Sequence, residues 1–413
     1  MNAPAIKGWC PGVLSPMESG DGLIVRLKLT GGIVPLDLAG QIAQWSRRWG
    51  NGQIDLTGRA NLQLRGVTSE NLPDLQDAIA VAGLLDKDPS GEAVRNVIAS
   101  PLAGLDSDAV LDIRPIVAEL EARLAGDPAL HKLPAKFCIA VDDSGRLGLV
   151  DVRADIGFEA VRTDNGPAFV VRLDGAADDR FGPIAPEGLV AVAAALAASF
   201  LTGRAKRMRE HVARVGAINI AHDAALTAFH TSSLRGCAPQ DCTVLSVTLA
   251  FGRIAAEELA HLVNCAAEIG VTELRLTPWR SILIPLPSIC AVKILSAALA
   301  ESGLILDPED PRRRVAACVG APACLNATTD VRGDAARLAA LVDVGTLLHV
   351  SGCAKGCAHP RAATVTLTGR NGSYDLVHNG SPSDSPSLTG LTLDEAAAHL
   401  RQITADKTQG GTA

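Results

Sequence analysis

Four thiols stand in two short segments of this sequence: Cys318 and Cys324 in "RVAACVGAPACLNA", Cys353 and Cys357 in "HVSGCAKGCAHP". Five residues separate the first pair and three the second. Soft sulfur ligands in this number suit a zinc ion or an iron–sulfur cluster. Structural zinc usually draws its cysteines from pairs spaced by about two to four residues. The first pair exceeds that, and the spacing is not the tight array of bacterial ferredoxins either. Small residues around the thiols let the backbone curl closely and aim N–H groups at inorganic sulfide. Spacing alone favours a cluster and leaves zinc and unliganded thiols open. Cys10, Cys237, Cys242, Cys265 and Cys290 are scattered, and read as buried or free thiols.

Composition sets the frame for those thiols. A chain of 413 residues, 47% hydrophobic, is long enough for two to four domains with full cores. No apolar run reaches the roughly 18 residues that span a bilayer. The opening "MNAPAIKGWCPG" lacks a basic stretch followed by an apolar core, so the expectation is a cytoplasmic protein whose close thiols bind metal or do redox chemistry. A net charge of −7 lacks the concentrated basic face of a nucleic-acid binder. No G-x-G-x-x-G follows a strand. Electrons are therefore expected from an external NAD(P)H-linked reductase or a small electron carrier.

The elements that must position the thiols repeat at an offset of 220 residues. "GLIVRLKLTGGIVPLDLAGQI" from Gly22 lies against "CTVLSVTLAFGRIAAEELAHL" from Cys242, and "GNGQIDLTGRANLQL" from Gly50 against "GVTELRLTPWRSILI" from Gly270. Each reads as an alternating strand, a glycine turn, an amphipathic helix and further strands. Carried forward, the same offset puts Arg95 opposite Val315 and Lys136 opposite Gly356, so that basic segments of one half face the cysteine segments of the other. The organisation expected is a half-module over 1–80, a larger α+β module over 81–220, a linker over 221–240, a second half-module over 241–305, a second larger module over 306–400, and a frayed tail over 401–413.

C-x5-C with C-x3-C resembles the cluster signature of the sulfite and nitrite reductase superfamily, whose members hold sirohaem and a [4Fe-4S] cluster. "LTGRANLQLRGV" from Leu56 is similar to that superfamily's arginine-bearing strand. "RNV" at Arg95 and "LPAKF" ending at Phe137 are similar to its basic tetrapyrrole-facing segments. The resemblance covers nearly the whole chain. "CPG" at Cys10, "LTPWRS" from Leu276 and "GCAKGCAHP" from Gly352 resemble the branch that uses oxygen in aerobic cobalamin synthesis. Cys138 stands where many reductases carry a second lysine beyond the one matched by Lys136, Ala60 replaces a glutamine, and His359 replaces an arginine. The missing lysine weakens the alternative, a sirohaem-dependent nitrite or sulfite reductase.

What the resemblance implies is an α+β fold of two ferredoxin-like half-modules and two larger α+β modules related by a pseudo-twofold. It also implies a [4Fe-4S] cluster on Cys318, Cys324, Cys353 and Cys357, a mononuclear non-haem iron, and no sirohaem. The substrates would be precorrin-3A and O2, giving a hydroxylated γ-lactone. The macrocycle's carboxylates need forked or point-charge partners, for which Arg59, Arg95 and Lys136 are the candidates. Arg65, Arg280 and Arg312 to Arg314 read as solvated charges. His131 and His359 lie in suitable segments for an iron ligand, although no triad spacing emerges.

Overall fold

The structure, a computed structural model, describes residues 8–229 and 243–410. Its first half runs β1 (Met17–Ser19), β2 (Gly22–Leu27), β3 (Ile33–Pro35), α1 (Leu36–Trp49), β4 (Gln53–Leu56), β5 (Leu62–Val67), α2 (Leu72–Val81), α3 (Pro89–Val94), β6 (Val97–Ala99), α4 (Arg114–Gly126), β7 (Ile139–Asp142), β8 (Ile156–Thr163), β9 (Gly166–Leu173), β10 (Phe181–Ile184), α5 (Leu189–Thr202), α6 (Met208–Val215) and α7 (Ala217–Asp223). The second half repeats most of it: β11 (Thr243–Thr248), β12 (Arg253–Ala255), α8 (Ala256–Glu268), β13 (Glu273–Leu276), β14 (Ser281–Leu286), α9 (Ile289–Ala298), β15 (Val315–Ala317), α10 (Val331–Ala339), β16 (Leu348–Ser351), β17 (Ala363–Arg370), β18 (Ser373–Gly380), β19 (Leu388–Leu391) and α11 (Leu393–Gly410).

The half-modules read as separate blocks are interlocked. After the glycine turn each half makes a three-residue strand too short to stand alone, and each lends it to the other half. β12 pairs antiparallel with β4, Ile254 opposite Ile54, while β3 pairs with β13, Leu274 opposite Val34. The resulting sheets run β1-β2-β5-β4-β12 and β11-β14-β13-β3. Helices α1 and α8 pack together, and a single apolar core takes Ile42, Ala43, Ile54 and Leu64 from one half and Ile254, Leu262, Ala266 and Leu274 from the other.

Each larger module is a five-stranded mixed sheet. β6, β7 and β8 run parallel and β8, β9 and β10 antiparallel; β15, β16 and β17 run parallel and β17, β18 and β19 antiparallel. This register corrects the repeat. Ala99 ends its strand where Ala317 does, and Asp142 where Ser351 does, so the constant offset fails once the chain leaves the first sheets. The segment between β6 and β7 is longer than that between β15 and β16. Cys318 thus stands opposite Ser100 and Cys353 opposite Ser144, not opposite the segments of Arg95 and Lys136.

Two boundaries also move. Ala221 and Leu226 are buried and Ala228 bridges to Phe181, so 221–229 belongs to the first half; the rest of the expected linker, with Cys237 and Cys242, lies outside the described residues. α11 runs through most of the stretch expected as a tail. No helix among the described residues is long and apolar enough to cross a membrane.

Because the exchanged strands meet in a shared core, the halves should unfold together. Ile54 is fully buried opposite Ile254. Ile54→Ala should cost about 2–5 kcal/mol and shift one denaturant transition, followed by circular dichroism, without splitting it in two.

Candidate functional site

The parallel pairing of β15 with β16 brings the two thiol segments side by side, because both leave the sheet at the same edge. Cys318 N–H donates to the Val350 carbonyl at 3.3 Å, and the Gly352 amide donates to Cys318 Sγ at 3.2 Å. Burial pushes the Cys318 thiol up, the amides of Gly352 and Gly320 oppose it, and Cys324 and Cys353 push it up further. Cys357 has the other three thiols as charge neighbours. The loops are close-packed: a Cβ on Gly352 would come 2.6 Å from the Ala327 Cβ. Among the described residues no three His, Cys, Asp or Glu side chains close on one ion-sized point. Neighbouring thiols, an amide aimed at sulfur and small flanking residues fit a [4Fe-4S] cluster.

The first half clamps the longer thiol loop. The Ala323 carbonyl accepts from Ser19 Oγ at 2.5 Å, Gly20 N–H at 3.0 Å and Arg65 Nη2 at 3.2 Å. A Cβ on Gly20 would overlap the Pro322 carbonyl oxygen. Arg65, expected to be solvated, is 2% exposed. It pairs with Asp21 at 2.7 Å and Asp55 at 3.4 Å. Asp55 also holds Arg253 at 2.8 Å and Arg332 at 2.9 Å. Arg332 is a cation in the first turn of α10, where the helix dipole disfavours it, and Asp55 offsets that. Burial alone would raise the Asp55 carboxyl; Arg332, Arg253 and Arg65 outweigh it and bring it down to about 2.

Arg280, also expected to be solvated, donates through Nη2 to the Ala358 carbonyl at 3.1 Å and has Cys318 as a charge neighbour. Arg313 bonds Thr248 Oγ1 and Arg314 bonds the Val342 carbonyl, both structural roles, while Arg312 pairs with Asp310.

The cationic candidates divide. Thr57 Oγ1 accepts from the amides of Arg59 and Asn61, shaping the turn that presents Arg59. Its guanidinium donates to the Lys136 carbonyl at 2.6 Å, which Arg207 also reaches at 2.5 Å, so Arg59 and Lys136 are brought together. Arg95 is diverted. Asp88 caps α3 through the Ser90 and Gly91 amides, and Arg95 at its end pairs with Asp86 at 2.8 Å and Glu121 at 3.0 Å with 12% of its side chain exposed. Gly58, beside Arg59, approaches the Pro278 carbonyl of the equivalent turn, the turn that carries Arg280. The Arg59 turn therefore adjoins the turn whose Arg280 reaches the second thiol loop, a neighbourhood that the repeat register does not convey.

His131 is structural, its Nε2 at 2.9 Å from the Ala125 carbonyl. His359 meets His349 edge to face at 5.8 Å. His349, absent from the sequence candidates, is fully buried with neither ring nitrogen bonded. Burial, then His359 and Arg280, bring it down to about 4, so it is a neutral imidazole. These two rings lack a carboxylate to complete an iron triad, and Arg280 beside them repels a cation, so they do not fit the mononuclear iron. Cys138 is 1% exposed in an apolar patch with Ile98, Ala140 and Leu149. Cys10, Cys265 and Cys290 are free. Arg26 on β2 and Lys28 just after it also lie near these cations, Arg26 beside Arg59 and Lys28 beside Arg95.

Comparison with known proteins completes the picture. Residues 15–82 match the nitrite/sulfite reductase ferredoxin-like half domain, and residues 90–221 match the nitrite and sulphite reductase 4Fe-4S domain. The second stretch holds only Cys138; the paired cysteines sit in its duplicated counterpart. A precorrin-3B synthase from Sinorhizobium sp is 34% identical over 402 residues, covering 92% of this chain and 84% of its own. The chain belongs to the precorrin-3B synthase family. That family lies within the sulfite and nitrite reductase superfamily: a ferredoxin–nitrite reductase of Synechococcus elongatus is 24% identical, over 84% of this chain and 76% of its own. The solved structure of the Mycobacterium tuberculosis NirA protein has the same duplicated fold as this synthase-family chain, with a TM-score of 0.75 at 20% identity, covering 93% of this chain and 80% of that one.

Two outcomes follow from this geometry. Gly20→Val should displace the Ala323 loop and cut iron and sulfide content while leaving the circular dichroism spectrum intact. Asp55, held below the 3.8 of an unperturbed aspartate, contributes stability that is complete above about pH 4 and is lost as pH falls toward 2. Asp55→Asn should lose that dependence and, by leaving buried guanidiniums unpaired, about 3–5 kcal/mol at neutral pH, as measured by urea unfolding across pH.

Proposed function

We propose that this chain catalyses the precorrin-3B synthase reaction, the oxygen-dependent hydroxylation of precorrin-3A with closure of a γ-lactone in aerobic cobalamin biosynthesis. One atom of O2 enters the macrocycle. The other leaves as water, which takes up two electrons and two protons, so the enzyme is a monooxygenase. The observation that carries the reading is the meeting of the Arg59 turn with the Arg280 turn, which would join a carboxylate-binding face to the thiol loops.

A [4Fe-4S] cluster held by Cys318, Cys324, Cys353 and Cys357 supplies single electrons when bound. The remaining work belongs to the chain's own residues. Arg59, its guanidinium steadied by the Lys136 main-chain carbonyl, offers a fork to a carboxylate, and the Lys136 side chain a point charge. Arg280 fixes the Ala358 carbonyl, and so sets the second thiol loop against the substrate side. Cys138, turned into an apolar patch, supplies no second cation for an oxyanion, in keeping with a site that takes a tetrapyrrole as substrate and no sirohaem. Electrons come from an external NAD(P)H-linked reductase or small carrier in the cytoplasm.

A charge-assisted contact is worth about 1.5–3 kcal/mol, so Arg59→Ala should weaken precorrin-3A binding roughly ten- to a hundredfold with cluster content unchanged, and Arg59→Lys should recover part. Cys353→Ser should lose most cluster absorbance and all turnover, and Cys265→Ser neither. Protein purified from cells that make sirohaem should lack its absorption bands; stoichiometric sirohaem with nitrite or sulfite turnover would overturn the reading in favour of a reductase.

A further inference from the structure

We propose that the paired loops of the first larger module, 100–110 and 142–149, form a proton-operated latch: with a proton on Asp143 they close and hold a strand of the second half, and without it they loosen. The inference stands apart from the proposed reaction. β6 and β7 run parallel, so both loops leave the sheet at one edge, as the thiol loops do in the other half. Three buried carboxylates gather there, with Asp106 8%, Asp142 4% and Asp143 1% exposed. They are unequally provided for. Asp106 accepts from the Arg146 amide at 2.6 Å and from its Nε at 3.0 Å. Asp142 accepts from Ser100 Oγ at 3.0 Å and from the Ser144 and Leu149 amides at 2.8 and 2.6 Å. Asp143 Oδ1 accepts from the Gly145 amide at 3.0 Å, while its Oδ2 is buried with no hydrogen-bond partner. The Ser100 hydroxyl also faces Asp143, but it gives its one proton to Asp142.

The cations around this cluster are engaged elsewhere. Arg146 pairs with Asp106, and Asp108 lies beside that pair, its amide bonded to Asp106. Farther along the same loop Arg114 holds Asp112. On β8, Arg162 bonds the Ala109 carbonyl and Glu159 takes Arg172 and Arg180. Burial pushes the Asp143 carboxyl up; the Gly145 amide and the Ser100 hydroxyl oppose it, Asp142 and Asp106 add to it, and it stands at about 6. The same residue stitches the loops together. Its amide donates to Ser100 Oγ at 2.9 Å, and its carbonyl accepts from the Val110 amide at 2.9 Å. The stitched segment presents the Pro101 and Ala103 carbonyls, at 3.5 and 3.0 Å, to Nη1 of Arg275, a fully buried residue of β13 in the second half. β13 leads into the Arg280 turn, so Asp143 is a positioning residue that acts through Arg275. An ionised Asp143 would set three buried like charges against one guanidinium and strain that stitching. Because its folded value lies above the ordinary 3.8, the cost is absent below about pH 4, grows as pH rises, and is complete above about pH 6.

The test compares the full-length holoprotein with its Asp143→Asn variant, a neutral isostere, under anaerobic conditions. Thermal unfolding is followed by circular dichroism, and amide hydrogen exchange by mass spectrometry over residues 96–113 and 138–150, with rates corrected for the intrinsic effect of pH. The variant should match the parental Tm at pH 4 and exceed it by about 2–4 °C at pH 7.5. Between pH 5 and 7.5 the parent should lose protection in both segments by roughly ten- to a hundredfold, while the variant stays level. An equal pH dependence of exchange in the two proteins would overturn the proposal. So would a variant that is less stable than the parent at every pH or does not fold, since the loops would then need the ionised carboxylate. None of these readouts uses turnover, so the latch and the proposed reaction stand or fall separately.

Discussion

The carboxylate of Asp55 is the point on which the rest of the structure turns. It sits where the exchanged strand of the second half pairs with β4 of the first, and it meets Arg65, Arg253 and Arg332 from three different elements. Through Arg65 it reaches the carbonyl of Ala323 between the first two thiols; through Arg332 it anchors the start of α10, which follows the same loop. A buried ion cluster of this kind gains little over an apolar one of equal volume, but removing one member leaves the others uncompensated. Its contribution is geometric: the thiol loop is registered against the half that carries the cations.

Duplication supplied two equivalent places for a cluster, and only one has thiols. Ser100 and Ser144 stand where Cys318 and Cys353 stand in the other half, with Asp142 and Asp143 beside them. Asp142 accepts from Ser100 Oγ at 3.0 Å and from the Ser144 and Leu149 amides at 2.8 and 2.6 Å, a hydrogen-bonded loop closed on itself. Divergence runs the other way on the neighbouring turns, where the first half keeps Arg59 and the second has Trp279. On the proposed reading each half has specialised, one in gripping anions and one in holding sulfur.

Much of this was legible in the sequence. The cysteine spacing marked the two segments that the fold brings side by side, and strand alternation around the glycine turns exposed the duplication. The repeat offset misled beyond the first sheets because nothing in local pattern marks the longer connection between β6 and β7. Arg95 looked like a free cation because its partners, Asp86 and Glu121, come from other elements, and Arg65 and Arg280 looked solvated for the same reason. His349 lies on a strand face whose burial depends on loops packed over it, which periodicity does not report. Arg26 and Lys28 are visible as an alternating pair, but that they lie beside Arg59 and Arg95 comes only from the tertiary fold.

The central claim is that one half presents a macrocycle to a cluster held by the other. The most direct measurement is the electron paramagnetic resonance spectrum of the reduced enzyme with and without saturating precorrin-3A under anaerobic conditions. Bound substrate should change the g-values or line shape of the reduced cluster, because the Arg59 and Arg280 turns would hold the two against each other. Identical spectra at demonstrated saturation would contradict it.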